Sequence, residues 1–331
     1  MTTQASNRAS PDPVSASTGA LDDSLCCSLE GTGVLTVNGS DAASFLNSQF
    51  SSDIAGLHPG ETALTSYSDA RGRVLAVPRI FADAQAYHLV LPTERVPAIA
   101  KQLNKFVLRA DVRVEDAGGD RGVLGLSGPR AGEVLHEKVE ALPQAAWHSA
   151  TLIAGGQVAR LPGERPRWLV CAPHEALEGL RESVHAAGVG DGDHMAWRLR
   201  EIEAGLPNVY EATAEHFVAQ MLNLDRLDAL DFRKGCYPGQ EVIARTHYLG
   251  RIKRRMHVLR YAGTPADPGS TVYAAEQAAG EVVDAAAHPE GGSLALAVVR
   301  LEATESTLAV GAPGGPAAEV MPPPYDLSDD A

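Results

Sequence analysis

The segment Lys234-Gly235-Cys236-Tyr237-Pro238-Gly239-Gln240-Glu241 carries most of the information about the fold of this 331-residue chain. Glycine tolerates backbone conformations that other residues avoid, and proline favours turns, so we expect Cys236 to lie on a tight loop with an accessible thiol. Arg233 and Lys234 favour the thiolate, whereas Glu241 opposes it. The loop is typical of a reactive or ligand-contacting cysteine, although no neighbouring histidine or second cysteine indicates a general base or a resolving thiol.

Composition limits the class of protein. The chain is 44% hydrophobic, and its four cysteines form no C-x-x-C pair and no zinc-finger spacing. We therefore expect about two or three domains in a reducing compartment, without a metal site or a disulfide framework. No apolar run approaches the roughly 18 residues that span a bilayer, and the first residues lack the features of a signal peptide. These features predict a cytoplasmic protein with no membrane partner.

The formal net charge of −14 repels polyanions over most of the surface, so direct nucleic-acid binding is disfavoured. Any anionic ligand must then enter a locally basic pocket. Four cations within residues 251–255 form either such a patch, for example for tRNA, or a charged strand edge. Lys101, Lys105 and Arg109 would share one face of a helix, where they either bind the carboxylates of an acidic ligand or simply face solvent.

Hydrophobic periodicity predicts an α+β fold. Residues 1–22 are rich in small and polar residues and are predicted to be a disordered tail. Strands are predicted at 34–37, 62–67, 74–81 and 86–91, with helices after Ser40 or Asp41 and over residues 96–107. The strand–helix pattern is then repeated, with strands predicted at 123–126 and 167–171 and helices over 130–142 and from His174. A linker at 188–193 precedes a helix that is predicted to start near His194.

The expected domains follow from this order. Residues 23–118, completed by 194–254, form a first α+β domain, and residues 119–193 form a second. After Arg255 the chain has short strand-like runs separated by glycine and proline, which predicts a small β-barrel over residues 255–325. Residues 326–331 are predicted to be an acidic tail.

The segment at 234–241 is similar to the K-G-C-[FY]-x-G-Q-E signature of the YgfZ branch of the GcvT-like folate-binding family. Residues 200–207 resemble the R-x-E-A-G-x-P segment of that family, residues 223–225 its N-L-D segment, and residues 39–53 its opening motif. Arg245, Leu249-Gly250 and Lys253-Arg254 complete the pattern downstream. The resemblance extends from about residue 25 to about residue 325.

This resemblance implies a GcvT-like clover-leaf fold, in which two ferredoxin-like α+β portions and a C-terminal barrel surround a central channel, with tetrahydrofolate as the ligand. A folate needs an aromatic wall, a carboxylate or amide for the pterin amino edge, and cations for its glutamate. Trp197 falls where the family has a folate-contacting tryptophan, and Glu203 and Arg245 are the candidate polar contacts. Without the motif, Trp197 would be an ordinary core aromatic and Glu203 a surface carboxylate. The family's second aromatic wall corresponds here to Thr32.

The resemblance further implies support for the assembly or repair of iron–sulfur enzymes, including those that modify tRNA, with iron–sulfur proteins or their assembly factors as partners. Cys236 would act on, or touch, the cluster protein or a folate-derived one-carbon unit, with Lys234 tuning it. Gly235 and Gly239 would shape the signature loop around Tyr237, while Gln240 and Glu241 would hold it by hydrogen bonds.

The alternative is a folate-dependent aminomethyltransferase of the glycine cleavage type. Those enzymes resemble this chain but carry an acidic pair after the glycine of the first hairpin, whereas residues 72–78 here are Gly-Arg-Val-Leu-Ala-Val-Pro. Ala76 and Val77 cannot handle protons or stabilise a cation. Whether any reaction is catalysed stays open; if one is, we expect tetrahydrofolate-dependent transfer of a one-carbon, aminomethyl-type unit.

Overall fold

The computed structural model describes residues 24–327. The tail predicted for residues 1–22 and the end of the acidic tail, residues 328–331, lie outside the described residues. The described chain forms a five-stranded sheet, a six-stranded sheet, a two-stranded sheet and a closed six-stranded barrel, with helices packed between them. The predicted α+β class with a C-terminal β-barrel is confirmed.

The strands in chain order are β1 Leu25–Ser28, β2 Thr32–Asn38, β3 Thr62–Leu64, β4 Tyr67–Ser68, β5 Val74–Ala76, β6 Arg79–Ala82, β7 Ala86–Pro92, β8 Arg113–Asp116, β9 Arg121–Ser127, β10 Ser149–Thr151, β11 Gln157–Arg160, β12 Arg167–Pro173, β13 Gly190–Gly192, β14 Arg254–Tyr261, β15 Thr271–Ala274, β16 Gln277–Ala287, β17 Ser293–Arg300, β18 Leu308–Val310 and β19 Ala317–Met321. The α-helices are α1 Ala42–Gln49, α2 Val96–Asn104, α3 Pro129–His136, α4 His174–Ala186, α5 His194–Glu203 and α6 Gln240–Leu249. Short 3-10 turns include Thr93–Arg95 and Glu211–Thr213.

The five-stranded sheet has the order β3-β6-β7-β2-β8 and packs its apolar face against α1 and α2. The predicted long hairpin at 62–81 is interrupted, and β4 and β5 pair separately from β3 and β6. Pro78 lies at the break and has no N–H to donate to the ladder. Helix α2 ends three residues before the predicted boundary, because the N–H groups of Lys105 and Phe106 close a tighter turn on the carbonyls of Gln102 and Leu103.

The six-stranded sheet has the order β10-β11-β12-β9-β1-β13 and is covered by α3 and α4. Strand β1 had no counterpart in the sequence prediction, and it pairs with β9 and β13 although the expected first domain begins at residue 23. The predicted linker at 188–193 contains β13, which runs parallel to β1. Helix α3 ends at His136 rather than near residue 142, because Val139 pairs with Leu152 in an isolated bridge.

The barrel closes in the order β14-β17-β16-β15-β18-β19. Helix α5 lies between the barrel and the six-stranded sheet, where it contacts β16, β17 and β1. The side chain of Asp193 accepts a hydrogen bond from Ala196 N at 2.7 Å and so starts this helix. Side chains on different faces of α5 therefore reach different parts of the molecule. Within residues 24–327, no helix has both the length and the apolar character needed to cross a membrane.

Candidate functional site

Trp197 is buried on α5 and forms one wall of a small internal cavity. Its side chain packs against the backbone of Gly125 so closely that a Cβ at that glycine would lie 2.4 Å from the ring. The Arg167 guanidinium lies 5.5 Å from the centroid of the Trp197 ring. The indole is therefore held by the six-stranded sheet and is only 4% exposed.

This inner cavity has a volume of about 30 Å³ and is lined by Trp197, by apolar residues that include Val90 and Leu169, and by polar residues. The polar lining residues are Thr32, Arg79, His194, Arg198, Glu201, Asn208 and Tyr210. The structure therefore brings Trp197 and Thr32 together, as the resemblance implied. A volume of this size holds about one or two water molecules. The cavity is thus a polar recess in an otherwise close-packed junction of the two sheets and the barrel.

Glu201, which is 4% exposed, is the carboxylate of this cavity. Its Oε2 accepts hydrogen bonds from Arg79 at 2.5 Å and from Asn208 at 3.3 Å. Its Oε1 lies 3.6 Å from Nη1 of Arg167, and neither atom has a hydrogen-bond partner among the described residues. Burial lowers the pKa of Arg167 to about 10. The two groups thus form an ion pair without a hydrogen bond, and a buried acceptor and a buried donor that lack hydrogen bonds are typical of a site that receives a polar ligand.

Glu203, the carboxylate predicted from sequence, does not line this cavity. Its side chain is 32% exposed and pairs with Arg200 at 3.1 Å. The 3.6-residue period places residues 197 and 201 on one helical face, while residue 203 lies on another. The i, i+4 spacing of Trp197 and Glu201 was the sequence signal that would have identified the cavity carboxylate.

A larger outer chamber of about 880 Å³ adjoins the inner cavity and shares His194, Arg198 and Tyr210 with it. Arg198 forms an ion pair with the fully buried Asp284 of β16, and its guanidinium lies 4.8 Å from the centroid of the Tyr210 ring. Tyr210 donates a hydrogen bond to Oδ2 of Asp284 at 2.9 Å. Burial raises the pKa of Asp284 to about 6 and lowers the pKa of His194. The barrel is thus joined to α5 at the mouth of the inner cavity.

Cys236 lies on the loop before α6. Of the four cysteines, all within the described residues, it alone is exposed. Burial raises the pKa of the other three thiols, to about 11 for Cys26 and about 12 for Cys27 and Cys171. Within residues 24–327, no cluster of three or more His, Cys, Asp or Glu side chains has an arrangement that would hold a metal ion. Cys236 is therefore the thiol available to a partner.

Lys234 anchors this loop to the end of α1. Its Nζ donates hydrogen bonds to the carbonyls of Asn47 and Phe50, both at 2.7 Å, and of Ser52 at 2.5 Å. Burial lowers the pKa of Lys234 to about 8. All three donors of an ammonium are engaged by backbone. Lys234 was expected to tune Cys236, whereas these hydrogen bonds give its side chain the role of positioning the loop.

The glycines of the loop have different surroundings. Gly239 has a φ of +80°, and a Cβ there would lie 2.6 Å from Cα of Gly72 and 2.7 Å from the carbonyl oxygen of Asp69. Gly235 has no such neighbour within 4 Å. The signature loop therefore packs against the turn of the first hairpin through Gly239.

The remaining signature residues contribute in different ways. Tyr237 is buried, and its hydroxyl has no hydrogen-bond partner among the described residues. The backbone N–H of Gln240 donates to the carbonyl of Tyr237 at 3.2 Å at the start of α6. Glu241 is exposed at the same helix end. The side-chain hydrogen bonds expected of Gln240 and Glu241 stay a prediction.

The predicted cations lie away from both cavities. Arg245 is exposed on α6 and lines neither the inner cavity nor the outer chamber. Lys101 on α2 and Lys105 and Arg109 beyond its end are exposed on the surface. The helical face predicted for these three cations is not formed, because α2 ends at Asn104. In the cluster at 251–255, Arg255 is 2% exposed and pairs with Asp225 at 2.8 Å, which leaves the other three cations at the surface. The N-L-D segment therefore supports the fold through this ion pair.

Residues 74–78, which follow the turn of the first hairpin, include no carboxylate. Ala76 and Val77 are fully buried in apolar surroundings. The nearest acid of the hairpin turn, Asp69, pairs with Arg71 at 2.9 Å and accepts the backbone N–H of Arg73. The acid of this hairpin therefore lies in the turn and is engaged by Arg71 and the backbone.

Comparisons with known proteins agree with this architecture. The family model of the GCVT N-terminal domain matches residues 25–159. The chain is 28% identical over 239 residues to the tRNA-modifying protein YgfZ of Colwellia psychrerythraea, covering 72% of each chain. It is 29% identical over 233 residues to the tRNA-modifying protein YgfZ of Vibrio atlanticus, covering 70% of this chain and 68% of that one.

Among solved structures, the glycine cleavage system aminomethyltransferase T from Bartonella henselae matches 92% of this chain and 86% of its own length, with a TM-score of 0.71 at 16% identity. This likeness confirms the predicted GcvT-like fold. At this identity, the similarity concerns the arrangement of the chain and carries no information about its reaction.

Proposed function

This chain belongs to the YgfZ/GcvT family, and from that premise we propose that it binds tetrahydrofolate and supports the assembly or repair of iron–sulfur enzymes, including those that modify tRNA. One observation carries the folate part of the proposal. Glu201 Oε1 and Arg167 Nη1 are buried beside Trp197 without hydrogen-bond partners among the described residues. They present an acceptor and a donor next to an aromatic surface, as a pterin requires.

The residues of the inner cavity fit the pterin end of a folate. The amino-pyrimidinone edge of a pterin has adjacent N–H groups that donate to a carboxylate such as Glu201. Its ring carbonyl accepts from a donor such as Arg167, which contacts Glu201 and the Trp197 ring but does not itself line the cavity. Trp197 supplies one aromatic wall, while Thr32 leaves the other wall without an aromatic ring. Because the cavity holds about one or two waters, ring binding requires Trp197 or its neighbours to move.

The outer chamber fits the rest of the ligand. Its volume of about 880 Å³ is in the range of small-molecule sites. Arg198 lies at the junction of the two spaces, where its guanidinium reaches a group that leaves the inner cavity. The chain's own residues therefore bind, orient and shield the ligand.

Cys236 carries the second part of the proposal. An exposed thiol on a loop anchored by Lys234 is presented in a fixed position to an iron–sulfur protein or its assembly factor. The aminomethyltransferase alternative is not favoured, because the buried Ala76 and Val77 occupy the hairpin positions where that reaction needs carboxylates.

Calorimetric titration with tetrahydrofolate tests the pocket. Glu201→Gln should weaken binding by about tenfold or more, because a charge-assisted contact is lost. Glu203→Gln, the matched change two residues along the same helix, should leave the affinity within about twofold, because Glu203 pairs with Arg200 outside the cavity.

Stability needs its own control, because Glu201→Gln removes the partner of two buried arginines. Glu201→Asp keeps the charge and withdraws the carboxylate, so it should also weaken binding while thermal unfolding stays closer to the wild type. The pocket is refuted if the wild type does not bind, or if both Glu201 variants bind as the wild type does.

Complementation of a deletion strain tests the thiol. Cys236→Ser should fail to restore iron–sulfur enzyme activities, whereas Gly235→Ala should restore them, because a Cβ at Gly235 meets no atom within 4 Å. Full restoration by Cys236→Ser would remove the thiol from the function. Turnover with glycine-cleavage partner proteins would instead favour the transferase.

A further inference from the structure

We infer that the site accepts monoglutamyl folate and discriminates against folates with a polyglutamate tail. The inference rests on the proposed function and names the form of ligand that the site selects. Each added γ-linked glutamate brings one more carboxylate to the end of the molecule that leaves the cavity. The charge of the exit therefore decides which tails are tolerated.

The exit through the outer chamber is lined by three carboxylates, those of Glu94, Glu211 and Asp267. The backbone N–H of Glu211 donates to Oε1 of Glu94 at 2.6 Å, so these two acids are held together at the rim. Among the described residues that line the chamber, Arg198 is the one lysine or arginine. The chamber is thus acidic where a binder of polyglutamates needs cations.

Arg198 provides for a single carboxylate. Its Nε donates a hydrogen bond to Asp284, and its guanidinium carbon lies 4.8 Å from the centroid of the Tyr210 ring, so two contacts hold the group in place. Its terminal nitrogens have no hydrogen-bond partner in the part of the chain that the structure describes, so they remain for one ligand carboxylate. Monoglutamyl folate has two carboxylates, of which Arg198 takes one, and each carboxylate that a longer tail adds would find no further lysine or arginine in the described lining and would lie closer to the three acids.

The opposite exit offers no better path for a tail. There the inner cavity shares Leu29 and Thr32 with a cleft of about 490 Å³. The charged residues of that cleft are Glu30, Asp116, Glu178, Arg121 and Arg181, together with His174. Carboxylates outnumber guanidinium groups in this cleft too. The exposed cations of α2 and α6 line neither exit, so they cannot draw a tail through it.

The experiment compares calorimetric affinities for tetrahydrofolate monoglutamate and pentaglutamate at low ionic strength. The wild type should bind the monoglutamate about tenfold or more tightly than the pentaglutamate. The triple variant Glu94→Gln/Glu211→Gln/Asp267→Asn should bring the two affinities within about threefold. Added salt should reduce the ratio of the two affinities of the wild type, because the three acids are exposed and salt screens their charges.

The matched control is Glu133→Gln/Glu140→Gln/Glu305→Gln, which changes the net charge equally at exposed positions that line neither exit. This control should have the same ratio of monoglutamate to pentaglutamate affinity as the wild type. If the control reduces the ratio of the two affinities as much as the chamber variant does, the inference is overturned, because the overall charge of the protein would then determine the preference for the monoglutamate. If the triple variant does not fold, Glu211→Gln and Asp267→Asn alone should each recover part of the pentaglutamate affinity, and no recovery would overturn the inference.

Failure of the proposed function gives a different experimental result from failure of the inference about the folate tail. If the wild type binds neither folate, the folate site itself is wrong, and the inference falls with it. If it binds both folates equally, or the pentaglutamate more tightly, folate binding stands and only the tail discrimination is overturned.

Discussion

Replacing Gly239 by alanine should displace the cysteine loop from the first hairpin. Gly239 has a φ of +80°, in the left-handed region that disfavours a side chain. The new Cβ would lie 2.6 Å from Cα of Gly72 and 2.7 Å from the carbonyl oxygen of Asp69. Both are backbone atoms of a turn closed by a hydrogen bond from Gly72 N to Asp69 O at 2.9 Å. The hairpin therefore cannot yield as a flexible side chain would, and the loop has to move.

The expected loss of stability combines two contributions. An alanine in the left-handed region costs about 1 to 2 kcal/mol. Relieving two sub-van-der-Waals contacts with backbone costs about a further 1 to 2 kcal/mol, as overpacking does. The free energy of unfolding should therefore fall by about 2 to 4 kcal/mol in Gly239→Ala. In Gly235→Ala, where a Cβ meets no atom within 4 Å, the change should stay within about 0.5 kcal/mol.

Urea denaturation measures these free energies, and the rate at which Cys236 reacts with 5,5′-dithiobis(2-nitrobenzoic acid) reports the position of the loop. Gly239→Ala should change both, while Gly235→Ala should change neither. The packing argument is refuted if Gly239→Ala loses less than about 1 kcal/mol, or if the two alanine variants lose equal stability.

Three further predictions concern the loop and the barrel. The native protein should show one rapidly reacting thiol, that of Cys236, and reaction of a second thiol before unfolding would contradict the burial of Cys26, Cys27 and Cys171. Lys234→Met leaves three backbone carbonyls without their shared donor, so urea denaturation should show a loss of about 2 to 4 kcal/mol, and an unchanged midpoint would refute the anchor. Burial raises the pKa of Asp284 to about 6, above the ordinary value of 3.8, so the folded protein holds this proton more tightly than the unfolded chain does. The stability of the wild type relative to Asp284→Asn should therefore rise by about 1 kcal/mol from about pH 7 to about pH 5, and a fall over that interval would contradict the raised pKa.

The sequence predicted features that depend on local pattern. The glycine- and proline-bounded strands after residue 255 predicted the barrel, and the Gly-Cys-Tyr-Pro-Gly run placed Cys236 on an exposed loop. The assignment of Glu203 followed a motif and stays a prediction, although Glu203 lies outside the inner cavity, whereas the helical period places Glu201 on the same face as Trp197. The period was available in the sequence, so this carboxylate was predictable from local information.

Other features depend on contacts between distant parts of the chain. Lys234 binds carbonyls more than 180 residues earlier, and no local pattern indicates that partner. Asp284 is an acid within an apolar barrel strand, and its role follows only from Arg198 and Tyr210 on other elements. Strand β1 joins the second sheet because β9 and β13 offer it edges, which depends on how the sheet assembles.

The first hairpin connects the two proposed sites physically. Its turn is in contact with the cysteine loop, since Gly72 lies against Gly239, and its strand β6 carries Arg79, which binds Glu201 beside the inner cavity. Ala76 and Val77 of the same hairpin are fully buried in the core. The hairpin therefore supports both proposed sites through packing and one ion pair.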